Sequence, residues 1–427
     1  MQNTLTIEGL DGKQKLSGRI SVHGSKNAAL QALALPLIFA DEVSFSNVPE
    51  IEDIRRMIEL LRSLGARVAH LGRGSYTIEA REKMKTRLPA EVTKKIRASI
   101  LATGPLLARF GNVSFGHPGG DKIGARPIDL FLEGFEKMGA RKTQKGETYS
   151  FSKKGPLKGA EIFLKTQSVT VTQTLMIAAV LAKGTTVIKN AAMEPEIPHL
   201  ADFLNSCGAK ISGAGTTTIT VRGTGLLYAK GKTYRVLPDR LETGTFLILA
   251  VLAGKDVTIT NCEPKHIEAL TEIIHSIAST KLEIGTSTIR VRNTRPLLLR
   301  AIDVKTHEYP GFITDFQPPF VVLLSQARGT SLVFETIFEG RFMYVGNLIQ
   351  MGAEISIYDP HRIVVKGKTP LSGLTLVGPD IRAGLGYVLA AIIAKGTSVI
   401  HNVYCIDRGY EKIEERLAKL GLGVRRN

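Results

Sequence analysis

The chain alternates between long apolar stretches of helical character and short segments in which apolar and polar residues alternate. Three stretches show the pattern clearly, and they begin at Thr174, Thr245 and Tyr387. In each, an apolar helical stretch of about a dozen residues precedes a small turn, a short β-branched segment and an Asn. An apolar run of that length predicts a buried helix, and the β-branched segment after it predicts a strand.

A second marker, an amphipathic helix ending in Leu-Gly-Ala or a related triplet, shows that the chain is built from repeats. Its glycines stand at positions 65, 139, 208, 352 and 421, and a degenerate copy surrounds Ser279. The period is therefore roughly 70 residues, longer than that of the common short solenoid repeats. Each glycine is predicted to end its helix in the left-handed conformation.

The repeat phasing predicts six units and two domains. The last unit begins near Ile381 and lacks its closing strands, whereas the segment from Leu16 resembles the segment from Leu371. Residues 1 to about 25 are therefore expected to complete the sixth unit. We predict one domain of three repeats over residues 26–236, and a second over 1–25 plus 237–427. A cleft between them would be the expected ligand site.

One polar residue opens the long apolar helix of each unit, and these positions suit anion binding. They are Lys26, Arg97, Ser168, Arg240, Asp315 and Arg382. Helix N-termini carry unpaired N–H groups and partial positive charge, so several of them facing one cleft would favour phosphates and carboxylates. The alternative is that these residues only cap helices, which fits Ser168 and Asp315 better than Lys26 and Arg97.

Composition narrows the classes of function. Of 427 residues 43% are hydrophobic, the net charge is +17, and the three cysteines are scattered. We expect neither a disulfide framework nor a metal site, and no membrane span or signal peptide, hence a cytoplasmic protein. The positive charge suits anionic substrates or nucleic acid, but aromatic content is 6% without Trp, so base-stacking surfaces are few.

Six segments in order resemble the enolpyruvyl transferases that act on UDP-N-acetylglucosamine. They cover essentially the whole chain: residues 24–29 (Gly-Ser-Lys-Asn-Ala-Ala), 97–99 (Arg-Ala-Ser), 118–127 (the Gly-rich loop ending Ala-Arg-Pro), 238–244 (Pro-Asp-Arg-Leu-Glu-Thr-Gly), 309–317 (containing Pro-Gly-Phe-Ile-Thr-Asp) and 406–410 (Ile-Asp-Arg-Gly-Tyr). The resemblance implies an α/β fold of two inside-out α/β barrel domains, with a lid loop near residues 116–126. It also implies transfer of the enolpyruvyl group of phosphoenolpyruvate to the sugar 3-hydroxyl, with release of phosphate, in peptidoglycan precursor synthesis. No cofactor is implied, and the oligomeric state is left open.

The resemblance also implies roles for individual residues. Asp315 matches the base and Asp121 the acid, Lys26 and Arg408 match catalytic residues that engage phosphoenolpyruvate, and Asn27 lies beside Lys26. The remaining matches are expected to line the substrate site: Arg97, Arg126, Pro127, Ile128, Asp129, Leu130, Ser168, Val169, Ile337 and Arg382.

Three positions depart from the pattern that most of the family shows. Asp121 stands where most members have Cys, Phe131 where a His is common, and Thr166 where many have Lys. An aspartic acid can donate a proton if burial raises its pKa, but it cannot form a thioether. The resemblance therefore implies that the epoxide inhibitor fosfomycin, which alkylates the family's cysteine, does not inactivate this chain.

Two alternatives remain open at this point. One is a related transferase with a shikimate-type acceptor, although the characteristic motifs of that branch are not evident. The other is a repeat-built RNA-binding protein that uses the positive charge, although no characteristic nucleic-acid motif is present.

Overall fold

The computed structural model describes residues 4–121, 123–294 and 296–427, and it is a mixed α/β fold. The strands of the described residues are β1 Leu5–Glu8, β2 Leu16–Ser21, β3 Val43–Ser46, β4 Arg67–Gly72, β5 Ser75–Glu79, β6 Asn112–Gly116, β7 Arg141–Lys145, β8 Thr148–Ser152, β9 Glu161–Phe163, β10 Thr185–Lys189, β11 Lys210–Ser212, β12 Thr218–Arg222, β13 Thr233–Arg235, β14 Gly254–Thr260, β15 Lys281–Ile284, β16 Thr288–Arg292, β17 Val304–Lys305, β18 Gly329–Phe334, β19 Glu354–Asp359, β20 Arg362–Gly367, β21 Thr375–Val377, β22 Thr397–His401 and β23 Val424–Arg426.

The α-helices of the same residues are α1 Lys26–Ala32, α2 Glu52–Leu64, α3 Ala90–Thr93, α4 Thr103–Phe110, α5 Asp129–Lys137, α6 Val169–Val180, α7 Glu196–Ser206, α8 Arg240–Ala253, α9 Glu268–Ile277, α10 Gln317–Leu324, α11 Val345–Gln350, α12 Ile381–Ile393, α13 Tyr404–Asp407 and α14 Ile413–Ala418. Short 3₁₀ helices cover Leu35–Ile38, Arg97–Ala102, Pro264–Ile267, Thr314–Phe316 and Arg341–Tyr344. Within the described ranges, none of these helices has the length and apolar character needed to cross a membrane.

The chain forms two compact units. The terminal unit comprises the described residues up to His23, the short segment Asp121–Ala125 and the segment Pro238–Asn427. The middle unit comprises Gly24–Gly120 and Arg126–Leu237. The domain boundaries drawn from the repeats, 26–236 and 1–25 plus 237–427, stay a prediction; residues 1–3 lie outside the described residues.

The sheets follow the repeat. Across the described residues there are six, and each contains three antiparallel strands from one repeat; five of them add a parallel edge strand. The middle unit holds the sheets β13-β3-β5-β4, β6-β8-β7 and β9-β10-β12-β11, and the terminal unit holds β2-β14-β16-β15, β17-β18-β20-β19 and β21-β22-β1-β23.

Two of the parallel edge strands are exchanged between repeats. In three repeats the edge strand, the apolar helix and the next strand are consecutive, as in β9, α6 and β10. Strand β2 precedes α1, however, yet it pairs with β14, which follows α8. Conversely, β13 precedes α8 and pairs with β3, which follows α1. The exchange occurs where the chain passes from one unit to the other, at Gly24 and Leu237.

The N-terminal segment serves two sheets and not one. Strand β1 lies between β22 and β23, pairing antiparallel with both, and so completes the sheet of the last repeat. Strand β2 joins the sheet of the fourth repeat instead. The expectation that the whole segment up to about residue 25 completes the sixth unit is therefore wrong for β2, because β2 pairs alongside β14.

Apolar helices occupy the interior of each unit, surrounded by the sheets. In the terminal unit every residue of α8, α10 and α12 is buried, and these three helices pack on one another. In the middle unit α4 and α6 pack together in the same way. A helix that is apolar on all sides has to be enclosed, which explains the inside-out arrangement.

The glycines that end the amphipathic helices have the predicted left-handed backbone. Their φ values are 105° at Gly65, 87° at Gly139, 103° at Gly208, 112° at Gly352 and 89° at Gly421. A residue with a Cβ is disfavoured in that conformation, so the glycine marks the turn from each helix into its strand.

Candidate functional site

Lys26 lies at the start of α1 in the middle unit, where its ammonium is held by a carboxylate. Ser25 caps the helix, its Oγ accepting from the Ala28 N–H at 3.3 Å. The Nζ atom of Lys26 is 3.2 Å from Oδ2 of Asp53, and the two side chains are only 12% and 5% exposed. Asn27, the next residue, is half-buried. This pair fixes the ammonium in one orientation at a helix N-terminus.

Arg97 and Arg126 form a second cationic group of the middle unit. Arg97 opens the 3₁₀ helix, and its Nη2 donates to the carbonyl oxygen of Pro127 at 3.1 Å. Burial lowers the pKa of Arg97 to about 10, and the charge of Arg126 contributes to that lowering. Two guanidinium groups close enough to repel each other favour an anion between or beside them.

The segment after Arg126 leads into helix α5 with mixed exposure. Pro127 and Asp129 are exposed, Leu130 is half-buried, and Ile128 is buried in the core. Phe131, the departure next to them, is also buried in the core, with 2% of its surface exposed. An aromatic ring in that position packs inward and offers no polar atom to a ligand.

Ser168 caps helix α6, and Val169 is the first helical residue. The Ser168 Oγ accepts from the Val171 N–H at 3.4 Å, a long capping bond. Thr166, the third departure, is exposed just before the cap. The capping interpretation is therefore correct for Ser168, and it does not conflict with a role at the helix terminus.

Asp121 and Arg408 form an ion pair within the terminal unit. Beside it, the Glu339 carboxylate accepts from the Ala125 N–H at 2.6 Å, and the Gly340 N–H donates to the Ile123 carbonyl at 3.0 Å. The side chains of Asp121 and Arg408 are 18% and 13% exposed. The segment Asp121–Ala125 is thus held by an ion pair and two hydrogen bonds.

Asp315 is surrounded by buried arginines. Arg382 Nε donates to its Oδ1 at 2.8 Å, and Arg341 Nη2 lies 3.7 Å from the same oxygen. Burial alone would raise the pKa of Asp315, but the charges of Arg382, Arg341 and Arg240 outweigh it and hold the pKa well below its ordinary value. No described residue donates a hydrogen bond to Oδ2, and a third of the side chain is exposed. The second oxygen can therefore accept a proton from a ligand.

Arg382 is itself fixed from the other side. Asp380 caps helix α12, and Arg382 Nη1 donates to the Tyr410 hydroxyl at 3.0 Å. Burial would lower the pKa of Arg382, but Tyr410, Asp315 and Asp239 raise it above its ordinary value. Arg382 therefore stays charged although it is almost completely buried.

Ile337 lies on a turn that is tied to the residue before Asp315. Its N–H donates to Glu335 Oε1 at 2.9 Å, and the Thr314 hydroxyl donates to Glu335 Oε2 at 2.9 Å. Any backbone contact from Ile337 to a ligand is therefore left to its carbonyl oxygen.

The structure groups the predicted residues by unit. The middle unit brings Arg97, Arg126 and Pro127 together and places Lys26 and Ser168 at helix starts; the terminal unit brings Asp315 to Arg382 and Asp121 to Arg408. Arg97 begins one short 3₁₀ helix, which precedes α4, and Asp315 is the second residue of another, which precedes α10. Neither residue therefore directly opens the long apolar helix as expected.

Sequence comparisons decide the family. A sequence model of EPSP synthase (3-phosphoshikimate 1-carboxyvinyltransferase) matches residues 10–417. A UDP-N-acetylglucosamine 1-carboxyvinyltransferase of Desulforapulum autotrophicum is 42% identical over 416 residues, which is 97% of this chain and 98% of that relative. One of Yersinia pestis is 43% identical over 420 residues, 98% of each chain. The chain belongs to the EPSP synthase family of carboxyvinyltransferases.

Two solved structures share the fold of this carboxyvinyltransferase. The enolpyruvyl transferase NikO from Streptomyces tendae superposes with a TM-score of 0.87 at 21% identity, covering 100% of this chain and 99% of that one. An EPSP synthase from Acinetobacter baumannii gives a TM-score of 0.78 at 19% identity, covering 100% of both chains. The predicted fold class, a two-domain inside-out α/β barrel of six repeats, is confirmed.

Several polar residues of this family member lie around the predicted ones and were not predicted from the sequence. They are Asp53 beside Lys26, Arg341 beside Asp315, Tyr410 beside Arg382 and Glu335 beside Ile337. Tyr410 belongs to the segment 406–410, which resembles the family, so that segment could have indicated a role for Tyr410. The other three have no signal in one sequence, because burial of a single polar side chain leaves no periodic pattern.

Proposed function

We propose that this carboxyvinyltransferase moves the enolpyruvyl group of phosphoenolpyruvate onto the 3-hydroxyl of UDP-N-acetylglucosamine and releases phosphate. The observation that carries the proposal is the 42–43% identity, over nearly the full chain, to enzymes named for that acceptor. The arrangement around Asp315 supports it, since the transfer needs a base surrounded by groups that bind anions.

In the proposed reaction the sugar hydroxyl attacks C2 of phosphoenolpyruvate while Asp315 takes the hydroxyl proton. C3 gains a proton to become a methyl group, and Asp121 is the proposed donor. Phosphate then leaves C2 and the methyl group returns one proton, which restores the vinyl group on the new ether. Three charged groups, Lys26, Arg126 and Arg408, are proposed to hold the phosphate and carboxylate, with Asn27 and Arg97 beside them.

The acceptor is proposed to lie along four segments. The segment 126–130 and the pair Ser168 and Val169 would hold the nucleotide sugar in the middle unit, and the Ile337 carbonyl and Arg382 would approach it in the terminal unit. The exposed Asp129 and Pro127, and the α6 N-terminus behind Ser168, are the accessible groups that support this placement.

Two ion pairs have to rearrange before the proposed reaction can proceed, namely Asp315 with its arginines and Asp121 with Arg408. A carboxylate facing three arginines is a weak base, and one paired with Arg408 is a poor acid. Anionic phosphoenolpyruvate would take up the positive charge of these arginines, which strengthens Asp315 as a base and frees Asp121 to carry a proton.

The substrates are central metabolites, and with the three cysteines unpaired we place the reaction in the cytoplasm.

Phosphate release tests the proposal. The purified chain is incubated with phosphoenolpyruvate and either UDP-N-acetylglucosamine or shikimate 3-phosphate, because the matching family model carries the name of the shikimate enzyme. We expect phosphate only with the nucleotide sugar. Release with the shikimate acceptor alone would reverse the assignment, and stabilisation against heat by a short RNA but by neither substrate would favour an RNA-binding function.

A further inference from the structure

Glu335 is a completely buried carboxylate in the terminal unit, directly after strand β18. Its contacts are all neutral donors: the Thr306 hydroxyl at 3.1 Å, the Thr314 hydroxyl at 2.9 Å, and the N–H groups of Ile337 at 2.9 Å and Phe338 at 3.2 Å. Among the described residues no cation forms an ion pair with it. A buried carboxylate without a cation depends on hydrogen-bond donors, so Glu335 and the segments that supply its four donors hold one another in place.

The four donors come from three separate segments. Thr306 follows β17, Thr314 immediately precedes Asp315, and Ile337 and Phe338 form the turn after Glu335 itself. The backbone of Glu335 is fixed as well, since its N–H donates to the His361 carbonyl and its carbonyl pairs with His361 Nδ1, both at 2.7 Å. One rigid side chain thus sets the distance between the segment of Asp315 and the turn of Ile337.

Arg341 links Thr314 to Asp315 by contacts to both residues. Its Nε and Nη2 donate to the Thr314 carbonyl at 3.3 and 3.1 Å, and Nη2 lies 3.7 Å from Asp315 Oδ1. Thr314 is therefore held through its hydroxyl by Glu335 and through its carbonyl by Arg341. A shift of Glu335 would move Thr314, and Asp315 with it.

We propose that Glu335 is a positioning residue for the transfer reaction, which keeps the base Asp315 and the acceptor-facing turn at Ile337 in one fixed register. The inference rests on the proposed function, because the distance between base and acceptor matters only if Asp315 acts on an acceptor that lies beside Ile337. A displacement of about 1 Å between reacting groups can lower turnover roughly 10²-fold. Glu335 itself touches neither substrate in this scheme.

Two substitutions at Glu335 separate geometry from charge. In Glu335→Gln the amide oxygen can accept from the Ile337 and Phe338 N–H groups and the Thr306 hydroxyl, while the amide nitrogen donates to the Thr314 hydroxyl, whose oxygen can accept. We expect kcat within a few-fold of the parent. In Glu335→Ala all four donors lose their acceptor, and kcat is expected to fall roughly 10²-fold.

Two threonines that donate to Glu335 test whether the loss of kcat depends on the segment of Asp315. Thr306→Val and Thr314→Val each remove one hydroxyl donor from the same carboxylate, and both side chains are buried. The Thr306 hydroxyl also accepts from the Thr336 N–H at 2.8 Å, so Thr306→Val should lower the melting temperature at least as much as Thr314→Val. We nevertheless expect the larger decrease in kcat for Thr314→Val, because only Thr314 adjoins Asp315. Equal kcat for the two variants would overturn the proposal.

Amide hydrogen exchange provides a readout that does not depend on activity. In Glu335→Ala the amides of Ile337 and Phe338 are expected to exchange faster together with segment 313–316, whereas in Glu335→Gln all stay protected. If Glu335→Gln loses as much kcat as Glu335→Ala while exchange stays slow, charge and not register is what matters, and the proposal is wrong. If the parent releases no phosphate, the proposed function fails, while the exchange experiment still tests the register.

Discussion

At the scale of single residues, three predicted cations each have a carboxylate partner. Lys26 is paired with Asp53, Arg382 with Asp315, and Arg408 with Asp121. A poorly exposed cation without a counter-ion would be destabilising. Each carboxylate offsets the cost of burying its cation, and an anionic ligand of higher charge can compete for that cation.

The role of Asp315 predicts a large effect on turnover. Asp315→Ala should lower kcat by roughly 10²–10⁴-fold, the usual contribution of a positioned acid–base group, while both substrates still bind. The exposed Asp303 of the same unit offers a control, since Asp303→Ala is expected to leave kcat close to that of the parent. Steady-state phosphate release measures both variants. Near-parent turnover in Asp315→Ala would contradict the assignment.

The lowered pKa of Asp315 predicts how stability depends on pH. Its carboxyl has a pKa well below the ordinary value of about 3.9, because three arginines favour the charged form. Stability from such a group is present above the unfolded pKa and is lost as pH falls through the folded one. The difference in unfolding free energy between the parent and Asp315→Asn should be constant from pH 5 to 8 and shrink below about pH 4. Urea unfolding at each pH measures it; a difference that changes near pH 6 would point to another group.

Asp121 predicts insensitivity to fosfomycin. A carboxylate is a much weaker nucleophile than a thiolate, and no thiol substitutes nearby: burial, then Asp380 and Asp121, raise the pKa of Cys405 to about 12. We expect full activity after preincubation with fosfomycin and nucleotide sugar, followed by dilution. Asp121→Cys should be inactivated progressively, and a second change, Cys405→Ala, should leave that sensitivity intact. Irreversible loss of activity in the parent would show that Asp121 does not stand at the position of the family's cysteine.

At the scale of elements, what the sequence predicts depends on periodicity. Helices α8 and α12 are apolar on every side, so their residues alone indicate that other elements must enclose them. The exchange of β2 and β13 could not be predicted, because the partner of a short parallel strand leaves no mark in that strand's own residues. The contacts of Asp53 and Glu335 could not be predicted for a related reason, since their partners are distant in sequence.

Strand β1 predicts a strong effect of a single substitution near the N-terminus. Ile7 is completely buried and pairs with Ser398 on β22 and Val424 on β23. Ile7→Ala should lower the unfolding free energy by roughly 2–5 kcal/mol, the usual cost of such a truncation in a core. Thr6→Ala, on the less buried face, should cost much less. Denaturant unfolding compares them, and equal effects would mean that β1 contributes little to the core.

At the scale of the whole molecule, the net charge of +17 predicts a salt dependence. Positive potential raises the encounter rate of anionic substrates, and salt screens it over a Debye length of about 10 Å at 0.1 M. We expect kcat/KM for phosphoenolpyruvate to fall several-fold between about 0.01 and 0.15 M salt, with kcat nearly unchanged. The melting temperature at both salt concentrations serves as the control. A kcat/KM independent of salt would show that the charge does not guide the substrate.

The position of β1 also fixes the order of events during synthesis on the ribosome. Its two partners, β22 and β23, lie at 397–401 and 424–426, so one of the first strands to emerge has to wait for two of the last. At about 5–20 residues per second that delay is on the order of tens of seconds. The middle unit, whose two segments span 24–237, can fold meanwhile. Leu5 and Ile7 therefore stay without the partners that bury them until the strands of the last repeat have been made.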